Sequence, residues 1–92
     1  MGMKYVLLYE SAEDVMETAP LHYEAHSARI KEFAGRGTLV MVGPFGDPQA
    51  QGSMAIFTSR EAAEEFVADD PFVVNGVVSS YEIRDWDEVL AP

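Results

Sequence analysis

Histidine and aspartate side chains are the residues of this sequence best suited to chemistry. The chain contains two histidines, His22 and His26, and no cysteine, which removes thiolate nucleophiles and thiolate metal ligands. His26 lies within an apolar helical pattern, and an imidazole with a pKa of ~6.5 can exchange a proton near neutral pH. Asp70 directly precedes a proline, so it is expected on a turn, where catalytic groups are common. We predict that Asp70 meets His26 and that they form a catalytic pair.

Both side chains also have plain structural interpretations. A histidine inside an apolar stripe can be a core residue that is hydrogen-bonded to backbone or water. An aspartate before proline can cap backbone N–H groups at the start of a helix or turn. Asp69 could take the place of Asp70, although we expect it to be more solvated.

The spacing of the two histidines raises the question of a metal site. His22 and His26 are four residues apart, which places them on one face of a helix. The residues between them do not match the zinc-protease motif, in which Glu directly follows the first His, and a third ligand would have to come from elsewhere. We therefore expect no metal and no cofactor. We expect His22 to line a substrate site together with Ser80 and Tyr81 of the last strand.

The elements that position these residues can be read from hydrophobic periodicity and turn formers. The first helix should carry Tyr23, His26, Ile30 and Phe33 on one apolar stripe and begin near Thr18 to Pro20. Thr58 and Glu61 fit a capping box for the second helix. The sequence predicts strands at 3–9, 38–42, 53–57 and 77–86, helices at 18–34 and from 59 to the Asp-Pro pair, a long loop at 43–51, and a tail at 87–92.

The order strand, helix, strand, strand, helix, strand predicts an α+β, ferredoxin-like fold. In it, a four-stranded antiparallel sheet carries both helices on one face. Residues 1–92 should form one domain. The other face of the sheet would be bare and apolar, so we expect a second copy of the chain to cover it.

Composition excludes several classes of partner. The formal net charge of −10 disfavours binding to nucleic acid and to anionic membranes. No apolar run approaches the ~20 residues of a membrane helix, and no signal peptide is evident. The absence of cysteine is compatible with the cytoplasm, where we expect the protein. We interpret Met1-Gly2 as a cloning remnant ahead of a natural start at Met3.

The sequence resembles the YCII-related family of small bacterial proteins from Met3 to Trp86. The resemblance depends on the order and spacing of several short motifs, none of which is specific alone: Met3-Lys4-Tyr5-Val6-Leu7-Leu8-Tyr9, His26, Gly37, Gly43-Pro44, Gly52 and Asp70-Pro71-Phe72. It implies a ferredoxin-like fold that pairs into a dimeric α+β barrel. It also implies an active site formed by a His–Asp pair, here His26 and Asp70.

The resemblance also indicates a range of reactions. One relative is a dehydrochlorinase that acts on a chlorinated hydroxyquinol. Other families with the same barrel include muconolactone isomerases and cofactor-free monooxygenases. Many YCII-related proteins have an arginine one turn before the histidine, whereas this sequence has Leu21-His22-Tyr23. That difference argues against an anionic substrate held by such an arginine.

Our leading hypothesis is a cofactor-independent enzyme of lyase, isomerase or dehalogenase type. It would act on a small aromatic or lactone-like molecule, with His26 moving the proton and Asp70 orienting it. The alternative is a non-catalytic dimer that binds a small metabolite or a protein partner through the same cleft. A haem or metal protein is the third hypothesis.

Overall fold

The computed structural model describes residues 2–90. Met1, interpreted as part of a cloning remnant, and the last two residues of the predicted tail lie outside the described residues. Along the chain, the described residues form these strands and helices: β1 (Gly2–Ser11), α1 (Val15–Gly35), β2 (Leu39–Pro44), α2 (Pro48–Gln51), β3 (Ser53–Phe57), α3 (Arg60–Ala68), α4 (Pro71–Val74) and β4 (Val78–Glu88). None of the helices formed by these residues is long and apolar enough to cross a bilayer.

The strands form one antiparallel sheet in the order β2-β3-β1-β4, with the helices packed on one side. The predicted ferredoxin-like α+β fold is therefore confirmed. The first strand lies in the middle of the sheet, where Leu7 pairs with Ala55 on one side and with Ile83 on the other. Its nearly continuous apolar sequence is typical of a strand that has both faces covered.

The core lies between the helices and the inner face of the sheet. Leu7 and Phe57 reach it from the sheet, and Phe33 and Phe66 reach it from α1 and α3; each side chain is at most 1% exposed. The rings of Phe33 and Phe66 meet edge to face with their centroids 5.2 Å apart. Because such contacts add to the burial of large apolar areas, they fix α1 against α3.

Helix α1 differs from the prediction at its start. It begins at Val15, so Pro20 lies inside it and costs one backbone hydrogen bond. Tyr23, predicted on the apolar stripe, is 62% exposed, whereas His26 and Phe33 are buried. The early start was missed because residues 10–17 are polar and acidic, a composition typical of loops.

Other boundaries also differ from the prediction. The cap of α3 is Ser59 and not Thr58, since the Ala62 N–H donates to the Ser59 hydroxyl over 3.1 Å. Helix α2 lies inside the predicted long loop and is capped by the Asp47 side chain. Strand β4 extends to Glu88, into the predicted tail, because it pairs with the full length of β1.

The sheet face opposite the helices is apolar at its centre. Strand alternation places Val6 and Leu8 of β1 there, beside Met54, Ile56 and Met41 of the neighbouring strands. Met41 is 65% exposed, and Val6, Leu8 and Met54 are half-buried. This is the open sheet face, which the sequence analysis expects a second copy of the chain to cover.

Candidate active site

Asp70 is the centre of the site and is completely buried. It lies between α3 and α4, and its extended backbone suits a residue that precedes proline. Its side chain accepts a hydrogen bond from the Phe72 N–H over 3.2 Å, so it caps the short helix α4. The structural interpretation of Asp70 is therefore correct, and it coexists with a second contact.

That second contact is with His26. The ring nitrogen Nδ1 of His26 lies 2.6 Å from Asp70 Oδ1, so the predicted meeting of the two side chains is confirmed. The imidazole stacks on the ring of Phe72 with centroids 3.7 Å apart and an interplanar angle of 5°. Phe66 contacts the imidazole edge to face at 6.3 Å. The two aromatic rings and the carboxylate hold the imidazole in one orientation.

Tyr9 completes the buried network and was not predicted from the sequence. Its hydroxyl donates to Asp70 Oδ2 over 2.5 Å, and its side chain is 8% exposed. Burial, the hydrogen bond to Asp70 and the negative charge of Asp70 together raise the pKa of Tyr9 far above its ordinary value. Tyr9 therefore keeps its proton and remains a donor. A tyrosine two residues from Leu7 on a central strand needs a buried partner for its hydroxyl, which is the signal that could have indicated it.

The backbone of Tyr9 is fixed by a close approach from Gly52. Gly52 has a φ of +73°, and a Cβ placed on it would lie 1.9 Å from the carbonyl oxygen of Tyr9. A residue with a side chain would be strained and would also collide with β1. Gly52 thus allows the start of β3 to pack directly against the strand that carries Tyr9.

The second ring nitrogen of His26, Nε2, makes no hydrogen bond to the described residues. When Asp70 is ionised and the imidazole is neutral, Nδ1 carries the hydrogen and Nε2 keeps its lone pair. Within residues 2–90, no buried side-chain nitrogen or oxygen lacks a hydrogen-bond partner, and no hydrogen bond to Nε2 is formed. Nε2 is therefore accessible, and His26 is one of the residues that line a cleft. A neutral His26 can therefore accept a proton at Nε2.

The cleft lies between α1 and the sheet and has a volume of about 780 Å³. His26 and Phe72 lie on its wall with Tyr9, and much of the rest is apolar, including Val15, Ile30, Pro44, Val77 and Val78. A volume in the range of ~300–1,000 Å³ with an apolar lining and few polar groups is typical of small-molecule sites.

The other residues that the sequence predicted for the site lie outside this lining. His22 is half-buried one turn before His26. Ser80 donates to Glu10 Oε2 over 2.9 Å on the open sheet face, and Tyr81 pairs with Tyr9 across β1 and β4 and is 50% exposed. Their roles in binding stay predictions. Asp69 is exposed, as expected.

The described part of the chain, residues 2–90, contains no group of three His, Asp or Glu side chains that could hold a metal ion. Nδ1 of His26 is already bonded to Asp70. The arrangement can hold a neutral imidazole, accept a proton at Nε2 and place the resulting positive charge beside a buried carboxylate.

Comparison with known proteins agrees with this fold. The chain is 30% identical, over 98 residues, to the protein YciI of Escherichia coli O6:H1 and to that of Shigella flexneri; the alignment covers 96% of this chain and all of each relative. Among solved structures, the 5-chloro-2-hydroxyhydroquinone dehydrochlorinase TftG of Burkholderia phenoliruptrix AC1100, in complex with 2,5-dihydroxybenzoquinone, superposes with a TM-score of 0.75. It is 19% identical, with 94% of this chain and 95% of that chain covered.

A second solved structure, the protein Atu4242 of Agrobacterium tumefaciens, has a TM-score of 0.61 at 11% identity over 96% of this chain and 94% of its own. These two likenesses are likenesses of fold. Residues 3–87 match the YCII-related domain, and this range includes Tyr9, His26 and Asp70. The chain therefore belongs to the YCII-related family.

Proposed function

We propose that the protein is a small enzyme that moves a proton on a small molecule bound in the cleft, with His26 as the acid–base group. The observation that carries this proposal is the 2.6 Å contact between His26 Nδ1 and the buried Asp70, which leaves Nε2 accessible on the cleft wall. A purely structural buried histidine is expected to have partners for both ring nitrogens. Here the second nitrogen has no hydrogen bond to the described residues, and His26 lines a cleft large enough for a ligand.

In the proposed reaction, Nε2 takes a proton from a C–H or O–H group of the ligand. The ring becomes an imidazolium, and Asp70 offsets its charge without accepting the proton. In an isomerisation, the proton returns to a different carbon of the same molecule. In an elimination, the C–H electron pair becomes a double bond as a halide leaves, and His26 then passes the proton to water.

The remaining residues of the site would hold this pair in place. Asp70 accepts from Tyr9, His26 and the Phe72 backbone, so its carboxylate cannot rotate freely. The fold similarity to TftG, whose name describes a dehydrochlorinase, supports an elimination or isomerisation over other reaction classes. It does not identify a substrate for this chain.

The direct test is turnover of a panel of halogenated and hydroxylated ring compounds by wild type and by His26→Asn. For a compound that the wild type converts, His26→Asn should lower kcat by about 10²–10⁴, the usual range for general acid–base catalysis. His22→Asn is the matched comparison on the same helix and should change KM more than kcat. Turnover that survives in His26→Asn would contradict the acid–base role.

A binding module without catalysis is the second candidate, and the apolar lining of the cleft supports it. Such a protein would be stabilised by its ligand according to the ratio of ligand concentration to Kd. A compound that raises Tm and is recovered unchanged after long incubation would favour this candidate.

The open sheet face supports a further part of the proposal, a homodimer in which two sheets pack against each other. Its central residues Val6, Leu8 and Met54 are only half-buried in the single chain. Ile56 lies on the same face and pairs with Val6. Light scattering should give twice the chain mass, and Leu8→Glu should give a folded monomer. A wild-type monomer at high concentration would contradict the dimer.

The two YciI relatives are bacterial, which supports a bacterial source.

A further inference from the structure

We infer that the cleft beside His26 selects uncharged, largely apolar molecules that offer a hydroxyl group, and that it rejects carboxylates and phosphates. The inference deepens the proposed function, because it concerns the ligand class of the same site. Among the described residues that line the cleft, none is Lys, Arg, Asp or Glu. The polar side chains of the lining are instead hydroxyls and the imidazole: Tyr9, Ser11, Tyr23, His26, Ser27 and Ser53.

The basic residue that follows His26 on α1 binds other groups. Arg29 follows His26 by three residues on α1, and its charge reaches Tyr9. Its guanidinium, however, donates to the backbone carbonyls of Glu65 and Phe66 over 2.7 and 3.0 Å and lies over the ring of Phe33. Arg29 thus binds the last turn of α3 and is not part of the cleft lining.

The other cations are no more available to a ligand. Arg36, Arg60 and Arg84 each donate to carboxylates on the surface. Lys4 and Lys31 do not belong to the lining. An anion that entered the cleft would lose water, find no Lys or Arg to pair with, and face a chain with a net charge of −10.

The hydrogen-bonding groups of the wall favour a hydroxyl on the ligand. The hydroxyls of Tyr9 and Ser11 already donate to Asp70 and to the carbonyl of Pro48. In its neutral form the imidazole of His26 offers a lone pair at Nε2, which can accept a hydrogen bond from a phenol or enol but would repel a carboxylate oxygen. Apolar side chains on the rest of the wall suit the body of such a molecule.

The test compares methyl 4-hydroxybenzoate with 4-hydroxybenzoate at pH 7.5. The two share the ring and the phenol and differ in charge. Binding is followed by backbone amide shifts of Ser27, Ile30, Gly43 and Val78, which line the cleft. We expect the ester to shift these signals with an affinity at least tenfold higher than that of the acid. Equal or tighter binding of the acid, or no shift with the ester at millimolar concentration, would overturn the inference.

A charge introduced at Ser27 provides a second test. Ser27→Lys places a cation on the wall, and Ser27→Met is the control of similar length without charge. Ser27→Lys should raise the affinity for 4-hydroxybenzoate at least fivefold, and Ser27→Met should not. Similar behaviour of the two variants would contradict the inference.

Neither binding test requires turnover, so the two proposals can fail separately. If His26→Asn retained activity, the charge preference of the cleft would still stand. If the wild type preferred the acid, the ligand class would be wrong while the acid–base role of His26 stayed open.

Discussion

Two carboxylate networks in this protein have contacts of similar length, but one is buried and the other is exposed to solvent. Asp70 lies 2.6 Å from His26 and is completely buried. On the surface, Arg36 donates to Glu65 over the same 2.6 Å and also pairs with Glu32, and all three side chains are about half exposed. Each network joins α1 to a later part of the chain.

The difference shows that distance alone does not measure the importance of an ion pair. Water and salt compete for the exposed groups of the Arg36 network, so breaking one contact leaves each partner solvated. Asp70 has no water to replace a lost donor, and its partners Tyr9 and His26 are almost as enclosed. Only the buried network can hold a side chain in the single orientation that proton transfer needs.

The largest effect should come from removing the charge at the centre of the buried network. Asp70→Asn replaces an acceptor of three hydrogen bonds by an amide whose NH₂ group must face a donor. We expect the free energy of unfolding to fall by about 3 kcal/mol, as for other buried pairs that lose one partner. Urea denaturation measures this change, and a loss too small to resolve would contradict the description of Asp70 as the centre of the site.

A smaller loss is expected for Tyr9→Phe, which removes one donor to Asp70 and keeps the ring. The free energy of unfolding should fall by about 1–3 kcal/mol at neutral pH, because one buried acceptor loses its partner. The same variant tests the raised pKa of Tyr9.

The pH dependence follows from the proton that folded Tyr9 retains. Above pH 10.0, the ordinary tyrosine pKa, the unfolded chain loses the Tyr9 proton while the folded chain keeps it. Rising pH therefore favours unfolding, by about 1.4 kcal/mol per pH unit for this one group. Tyr9→Phe lacks this contribution, so its stability deficit should shrink between about pH 10 and pH 11. A constant deficit over that range would show that the pKa of Tyr9 is not raised.

The smallest effect is expected on the surface. Glu65→Gln makes the same acid-to-amide change as Asp70→Asn at a contact of equal length, but in an exposed network. Its Tm should match that of the wild type, and added salt should not change that result. A loss comparable to that of Asp70→Asn would remove the contrast between the two networks.

The architecture could be predicted from the sequence because its cause is local. Apolar runs and turn formers mark β1, β2, β3 and β4, and a helical stripe marks α1. The order of these elements then limits the possible sheets. Short helices such as α2 are harder to predict, since four residues carry little periodicity and α2 depends on its cap Asp47.

The site could be predicted only in part. His26 was identifiable because a titratable group in an apolar stripe is unusual, and Asp70 because an aspartate before proline is typical of a turn, although Asp47-Pro48 has the same pattern. Tyr9 was not, since a tyrosine in a strand is usually a packing residue, and its contact with Asp70 spans 61 positions. The charge-free lining of the cleft depends on where Arg29 lies in space, which no local pattern shows.

The central claim, that Asp70 holds His26 with Nε2 available as a base, can be tested without any substrate. Nitrogen-15 NMR of the histidine rings distinguishes a protonated Nδ1 from a protonated Nε2. At a pH where His26 is neutral, we predict that its hydrogen is on Nδ1 and that Asp70→Asn weakens this preference. A neutral His26 with its hydrogen on Nε2 in the wild type would contradict the account.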